Sequence, residues 1–249
     1  MAKVFLVGAG PGDVELLTIK AMRCLQQAEV VLVDDLVNPD ILQFAPANCK
    51  IIPVGKRGGC RSTPQDFIQR LMLRYARQRK TVVRLKGGDP MLFGRGGEEV
   101  AFLAQHGIGC EVVNGLTAGL VAATQADIPL THRDHTQGVT FITGHRRDGS
   151  QPNWPALVAG GTTLVVYMGM QNIGLLCQAW RQAGMPDSMP AAVIQHASTP
   201  QQRILISELS RLAAEVEAGG YGSPAIIVLG EVVKEKTWRD TLPHLVSAA

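Results

Sequence analysis

Val4-Phe5-Leu6-Val7, running directly into Gly8-Ala9-Gly10-Pro11-Gly12-Asp13, decides the fold class. Four consecutive apolar residues closed by a glycine-rich loop describe a strand covered on both faces, since a half-exposed strand would alternate apolar and polar positions. Outward from it the same pattern recurs. Val30-Val31-Leu32-Val33 ends in Asp34-Asp35, Thr81–Leu85 runs into Lys86-Gly87-Gly88-Asp89-Pro90, and Cys110–Val113 precedes Asn114-Gly115. Helical periodicity fills the intervals. Thr18 caps a helix to about Ala28 with Ile19, Met22 and Leu25 as its apolar stripe. Thr63-Pro64 opens a second helix, because proline suits the first turn, and a third spans roughly Gly97 to Gly107. Strands alternating with helices predict largely parallel sheets whose ligands lie beyond the strands' carboxyl ends.

Gly115-Leu116-Thr117-Ala118 opens a further helix, and the polar stretch Thr131-His132-Arg133-Asp134-His135-Thr136-Gln137-Gly138 then joins two patterned halves. Beyond it, strands are expected at Val139–Thr143, Thr163–Met168, Ala191–Gln195 and Ala225–Leu229, with helices at Ile173–Ala183 and Ser207–Glu217. The architecture expected is two α/β domains, 1–134 and 135–249, with a cleft between them.

The net charge of +3 hides an asymmetry: residues 51–100 hold eleven Lys/Arg against four Asp/Glu, an excess of seven that leaves −4 for the rest. Such an excess suggests an anionic partner. Arg70, Arg74, Arg77, Arg79 and Lys80 follow Phe67, Ile68, Leu71 and Leu73 at helical spacing and are expected to face water. Only Phe67, Tyr75 and Phe93 accompany these cations, too few aromatics for nucleic-acid binding. Five scattered cysteines without a CxxC pair imply neither a disulfide framework nor a structural zinc site. His132 and His135 lack a third ligand at useful spacing, so no metal is expected. The N-terminus shows no signal-peptide pattern, and the uncharged stretch Gly149–Trp180 is too often broken by Pro, Gly and polar residues to span a membrane. A cytoplasmic location is expected.

The Gly8-x-Gly10 loop invites a dinucleotide reading, which the sequence rejects. The fingerprint's third glycine is Asp13, and Pro11 removes an N–H where a pyrophosphate needs donors. The second loop, Lys86 to Pro90, reads equally as a plain turn or as a set of acceptors for a cationic ligand carrying a ribose. Met168 and Met170 alternate at a strand end and read by default as core filling.

Taken together, these segments resemble the uroporphyrinogen-III C-methyltransferase branch of the tetrapyrrole methylases. The resemblance rests on Val7–Asp13 with Leu16-Leu17-Thr18, Asp34, Val54-Gly55-Lys56-Arg57 and Arg84–Pro90. It extends through Phe93-Gly94-Arg95-Gly96-Gly97-Glu98-Glu99, Ile128-Pro129-Leu130-Thr131-His132-Arg133, Tyr167-Met168-Gly169-Met170 and Ser223-Pro224-Ala225. The Phe93–Glu99 segment is the most specific, and the pattern fills the chain, so no fused dehydrogenase or chelatase domain is expected. The resemblance implies a homodimer that transfers methyl groups from S-adenosyl-methionine to C2 and C7 of uroporphyrinogen III, giving precorrin-2 and S-adenosyl-homocysteine. That product feeds siroheme, cobalamin or heme d1.

By matching position, the resemblance gives donor contacts to Pro11, Gly87, Gly88, Asp89, Leu92, Thr117, Ala118, Met168, Ala197 and Ala225. Asp34 and Lys56 match a proton acceptor and donor, with Arg95 a third candidate for the reaction. Arg95, Glu98, Arg133 and Met170 match the porphyrinogen side. Asn114-Gly115-Leu116-Thr117-Ala118 departs from the commoner Pro-Gly-x-Thr/Ser-Ser, and Val33 stands where tyrosine is frequent. The alternatives are another precorrin methyltransferase or a non-catalytic tetrapyrrole-binding module. An octacarboxylate substrate accounts for the basic excess and favours arginine forks, with Arg95, set between glycines, first among them; its competing role is an ion pair with Glu98 or Glu99.

Overall fold

The structure, a computed structural model, describes residues 3–55, 63–144 and 150–237. It divides into two compact units, Met1–Ala118 and Gly119–Ala249, so the polar joint at 131–138 lies inside the second.

The first unit is a five-stranded sheet in the order β3-β2-β4-β1-β5, built from β1 (Lys3–Gly8), β2 (Val30–Val33), β3 (Lys50–Pro53), β4 (Thr81–Lys86) and β5 (Cys110–Val113). Every pairing is parallel, consistent with the continuous apolar runs of β1 and β2. One face packs Phe5, Val7, Val31, Val83 and Leu85 against α1 (Ile19–Gln26). The other packs Val4, Leu6, Leu32 and Val82 against α2 (Gln65–Arg77) and α3 (Gly96–Gln105). Thr18 caps α1 by accepting the Ala21 N–H at 3.1 Å. The helix is rotated from the expected stripe: Ala21, Cys24 and Leu25 are buried, whereas Ile19 is 66% exposed. Small residues let α1 lie close on the sheet, and size alone did not signal that. The basic residues of α2 and its following turn, Arg70 to Lys80, are exposed as expected.

All but the first residue of α4, which spans Ala118–Gln125, belongs to the second unit. Its sheet runs β6-β7-β10-β8-β9, from β6 (Val139–Thr143), β7 (Thr163–Tyr167), β8 (Pro190–Gln195), β9 (Arg203–Glu208) and β10 (Ala225–Leu229). Here the expectation of parallel pairing fails. Only β6 and β7 are parallel, while β10 is antiparallel to β7 and β8, and β8 is antiparallel to β9. The connection from β8 to β9 covers only residues 196–202, too short for a parallel crossover of a dozen or more residues. Ser207 and Glu208, expected to start a helix, close β9 instead. Helices α5 (Trp154–Ala159), α6 (Ile173–Gln182) and α7 (Leu209–Ala218) cover one face around Trp154, Trp180, Leu176 and Leu212. Among the described residues, no helix is long and apolar enough to cross a membrane.

Candidate active site at the strand ends

In the first unit the carboxyl ends of β1, β4 and β5 bring three glycine backbones together. Gly10 and Gly88 form an isolated bridge, with Gly88 N–H donating to Gly10 O at 2.7 Å. A Cβ built on Gly8 would stand 2.5 Å from Gly115 N and 2.6 Å from Gly88 O, so no side chain fits there. Asp89 ties the loops: Oδ1 accepts the Met91 N–H at 2.8 Å, and Oδ2 accepts from Asn114 Nδ2 at 3.1 Å and Gly115 N at 3.2 Å. Asp89 therefore shapes the cradle rather than projecting as a free charge. Pro11, Gly87, Gly88 and Leu92 are half-buried around this surface, Thr117 is buried and Ala118 half-buried. Asn114, a departure from the family pattern, is one of the groups that fixes Asp89.

Asp13 accepts the Glu15 N–H at 2.9 Å and starts a short 3-10 turn, so the first glycine loop does not lead straight into α1. A dinucleotide site places a helix N-terminus at that point, and this loop has none there.

Behind the cradle lies a cluster that sequence reasoning missed. Residues 82, 84 and 86 share one face of β4 by the two-residue period. Val82 joins the core there, and Arg84 and Lys86 follow it inward, 2% and 4% exposed. Arg84 donates through Nη2 to Asp34 Oδ1 at 2.5 Å, through Nε to Glu99 Oε1 at 3.2 Å, and through Nη1 to Leu32 O at 3.3 Å. Lys86 Nζ lies 3.3 Å from Glu99 Oε2 and 3.7 Å from Asp34 Oδ2. Gln65 Nε2 adds a 2.9 Å bond to Glu99 Oε1, and Glu99 itself is 0% exposed. Two cations thus meet two carboxylates, as burial of charge demands. Burial holds the Lys86 ammonium below its usual pKa, and the Arg84 charge adds to that, against the pull of Glu99 and Asp34. Arg84 and Lys86 are consumed internally, so they do not belong to the excess available to an anionic partner. The one available signal was two cations two residues apart on an otherwise apolar strand.

Arg95 sits at the start of α3 in the left-handed region, φ 58°, as does Phe93 at 55°. Its guanidinium grips Glu98 as a fork, 3.0 Å from Nε to Oε1 and 2.6 Å from Nη2 to Oε2, and both side chains are exposed. Lys56 lies outside the described residues.

In the second unit, left-handed non-glycine residues again mark strand ends: Met168 (φ 55°) after β7, and His196 (φ 50°) and Ser198 (φ 59°) after β8. Such positions cluster at functional loops because the surroundings must over-determine them. Ala197 is buried between the last two, and Ala225 opens β10 beside Gln195. The expected alternation at 168 and 170 does not occur. The left-handed turn at Met168 ends the strand, leaving Met168 47% exposed, while Met170 starts a 3-10 turn and enters the core at 8%. Tyr167 anchors α4 by accepting the Gly119 N–H at 2.7 Å. Arg133 is exposed on a tight turn.

The family model for Tetrapyrrole (Corrin/Porphyrin) Methylases matches residues 3–213. The uroporphyrinogen-III C-methyltransferase of Pseudomonas aeruginosa is 55% identical over 233 residues, which are 94% of this chain and 95% of that one. The siroheme synthase of Azotobacter vinelandii is 49% identical over 235 residues, 94% of this chain but only 51% of that longer protein. The crystal structure of uroporphyrin-III C-methyl transferase from Thermus thermophilus complexed with S-adenyl homocysteine superposes with a TM-score of 0.80 at 43% identity, covering 94% of this chain and 100% of that chain. Strand-end glycine loops, a structural match over nearly the whole length and a family match across both units agree: the chain belongs to the tetrapyrrole methylase family.

Proposed function

We propose that this chain methylates uroporphyrinogen III at C2 and C7 with S-adenosyl-methionine, producing precorrin-2 and S-adenosyl-homocysteine. The observation that carries the reading is the backbone cradle of Gly8, Gly88 and Gly115 fixed by Asp89, in a chain 55% identical to a uroporphyrinogen-III C-methyltransferase. The cradle fits the donor: it offers bare backbone at the strand ends, held in shape by Asp89.

S-adenosyl-methionine supplies an electrophilic methyl group. Pro11, Gly87, Gly88, Asp89, Leu92, Thr117 and Ala118 of the first unit, and Met168, Ala197 and Ala225 of the second, hold it, by their positions in the family pattern. Orientation of two reactants in a dry site supplies up to roughly 7–11 kcal/mol in favourable cases. A pyrrole ring that has gained a methyl is cationic until it loses a proton, so a base beside it helps. Asp34 takes that role, supported by the Arg84 and Lys86 contacts that fix its carboxylate; Lys56 is the matching proton donor. Arg95, Glu98 and Arg133 face the porphyrinogen, and Arg95 exchanges Glu98 for a substrate carboxylate; Met170, the fourth position matched to that side, is turned into the core and does not contact it. Residues 1–134 carry the porphyrinogen contacts and donor loops, and 135–249 complete the donor site. The protein acts as a cytoplasmic homodimer.

Incubating the purified chain with uroporphyrinogen III and S-adenosyl-methionine tests the reading by mass spectrometry. The expected product carries two added methyl groups. Porphyrinogen binding without turnover, or methylation only of a later precorrin, would overturn it.

A further inference from the structure

The turn that carries Arg133 brings together three metal-ligating side chains that the methyl-transfer reading does not use. His132 and His135 are held on it by main-chain bonds: Thr136 N–H donates to His132 O at 2.9 Å, His132 N–H to Thr136 O at 3.2 Å, and His135 N–H to His132 O at 3.1 Å. The two rings lie 4.9 Å apart, centroid to centroid, tilted by 32°. The missing third ligand comes from a hundred residues further along the chain. Glu235 stands in the 3-10 segment Glu231–Thr237, anchored by the buried Val232 and Val233, and its Oε1 lies 2.7 Å from His135 Nε2. One ligand atom from each of His132, His135 and Glu235 falls within 4.8 Å of the others. Among the described residues this is the only such group of three.

We propose that His132, His135 and Glu235 form a binding site for one divalent transition-metal ion of the zinc type. Two imidazoles and a carboxylate suit zinc, nickel or copper rather than magnesium or calcium, which favour all-oxygen sets. At zinc–ligand bonds of about 2.0–2.1 Å, tetrahedral ligand atoms sit about 3.3 Å apart. The ligand atoms therefore close from within 4.8 Å to that spacing, and all three side chains are partly exposed, at 24–38%. Both main-chain anchors are already formed, so the ion pins the 132–136 turn to the 231–237 segment. It also fixes the backbone on either side of Arg133. The site stands independently of the substrate assignment, because it uses none of the residues given to the donor.

Chelator-treated full-length protein titrated with zinc chloride by calorimetry gives the test. One zinc per chain is expected, with a rise in melting temperature on zinc addition. His135→Ala weakens binding at least about tenfold and abolishes the thermal shift, and Glu235→Gln, which preserves shape, weakens it measurably. His106→Gln, whose ring bonds Phe102 O on α3, binds zinc like the wild type. Zinc uptake by Glu235→Gln and His135→Ala equal to that of the wild type, or no uptake by the wild type, overturns the site. If His135→Ala does not fold, the Glu235→Gln comparison decides alone.

Discussion

Arg84 and Arg95 both hold carboxylates, in opposite surroundings. Arg84 is sealed under the sheet with Glu99 at 0% exposure and shares its partners with Lys86, whereas Arg95 and Glu98 form a well-aligned fork in open solvent. An exposed pair contributes about 0–1 kcal/mol, because water and salt screen the attraction and two long side chains lose freedom. A buried pair is bound to its geometry, since removing one member strands the other's charge. The same chemistry is therefore architecture in one place and an exchangeable contact in the other. Only the exposed arginine is free to trade its partner for a substrate carboxylate at small cost.

The contrast breaks if the two pairs respond alike to mutation. Glu99→Gln carries the largest stability effect: it leaves Arg84 and Lys86 short of a counter-charge and is expected to lower unfolding free energy by about 3–5 kcal/mol in chemical denaturation. A loss below about 1 kcal/mol would mean that the cluster relaxes or admits water. Lys86→Met has a smaller effect with a definite pH signature. The folded-state pKa of Lys86 is lowered from 10.5, so the unfolded chain binds more protons in the window between the lowered value and 10.5. Wild-type stability relative to Lys86→Met should rise with pH across that window and be flat above it, and a flat difference throughout would sink the claim. Arg95→Ala is the mildest for folding, below about 1 kcal/mol. It should lower kcat/KM strongly while leaving S-adenosyl-homocysteine affinity unchanged by calorimetry. Near-wild-type turnover would remove Arg95 from the substrate side.

Sequence patterning located the parallel first sheet well, because β1 and β2 are continuous apolar runs and nothing else satisfies such a run as fully as a strand covered on both faces. It did not resolve β3, Lys50–Pro53, a short edge strand with little apolar signal, or β9, Arg203–Glu208, whose charged ends resemble a helix start. The antiparallel pairing of β8, β9 and β10 escaped for a related reason: strand direction depends on where the chain returns, and local composition says little about that. The glycine loops at the strand ends were legible from type and spacing, and so was the ion pair between Arg95 and Glu98 that the sequence offered as the competing role of that arginine. Arg84, Lys86 and Glu99 were not, since charged residues are seldom buried and the reading placed their charge at the surface. Met170 was read beside Met168, yet one left-handed residue sends it into the core.

By itself, then, the sequence determined four of the five strands of the first unit, where its glycine loops fall, and that the first loop lacks the dinucleotide fingerprint. These follow from the period of apolar residues and from backbone chemistry confined to a few neighbours, such as the missing N–H of Pro11. Tertiary structure alone decided that Asp34 is gripped by Arg84 and Lys86, that Asp89 ties two loops together, and that Glu235 meets His135. Each of these joins residues far apart in the chain, and which distant groups meet is set by the packing of whole elements.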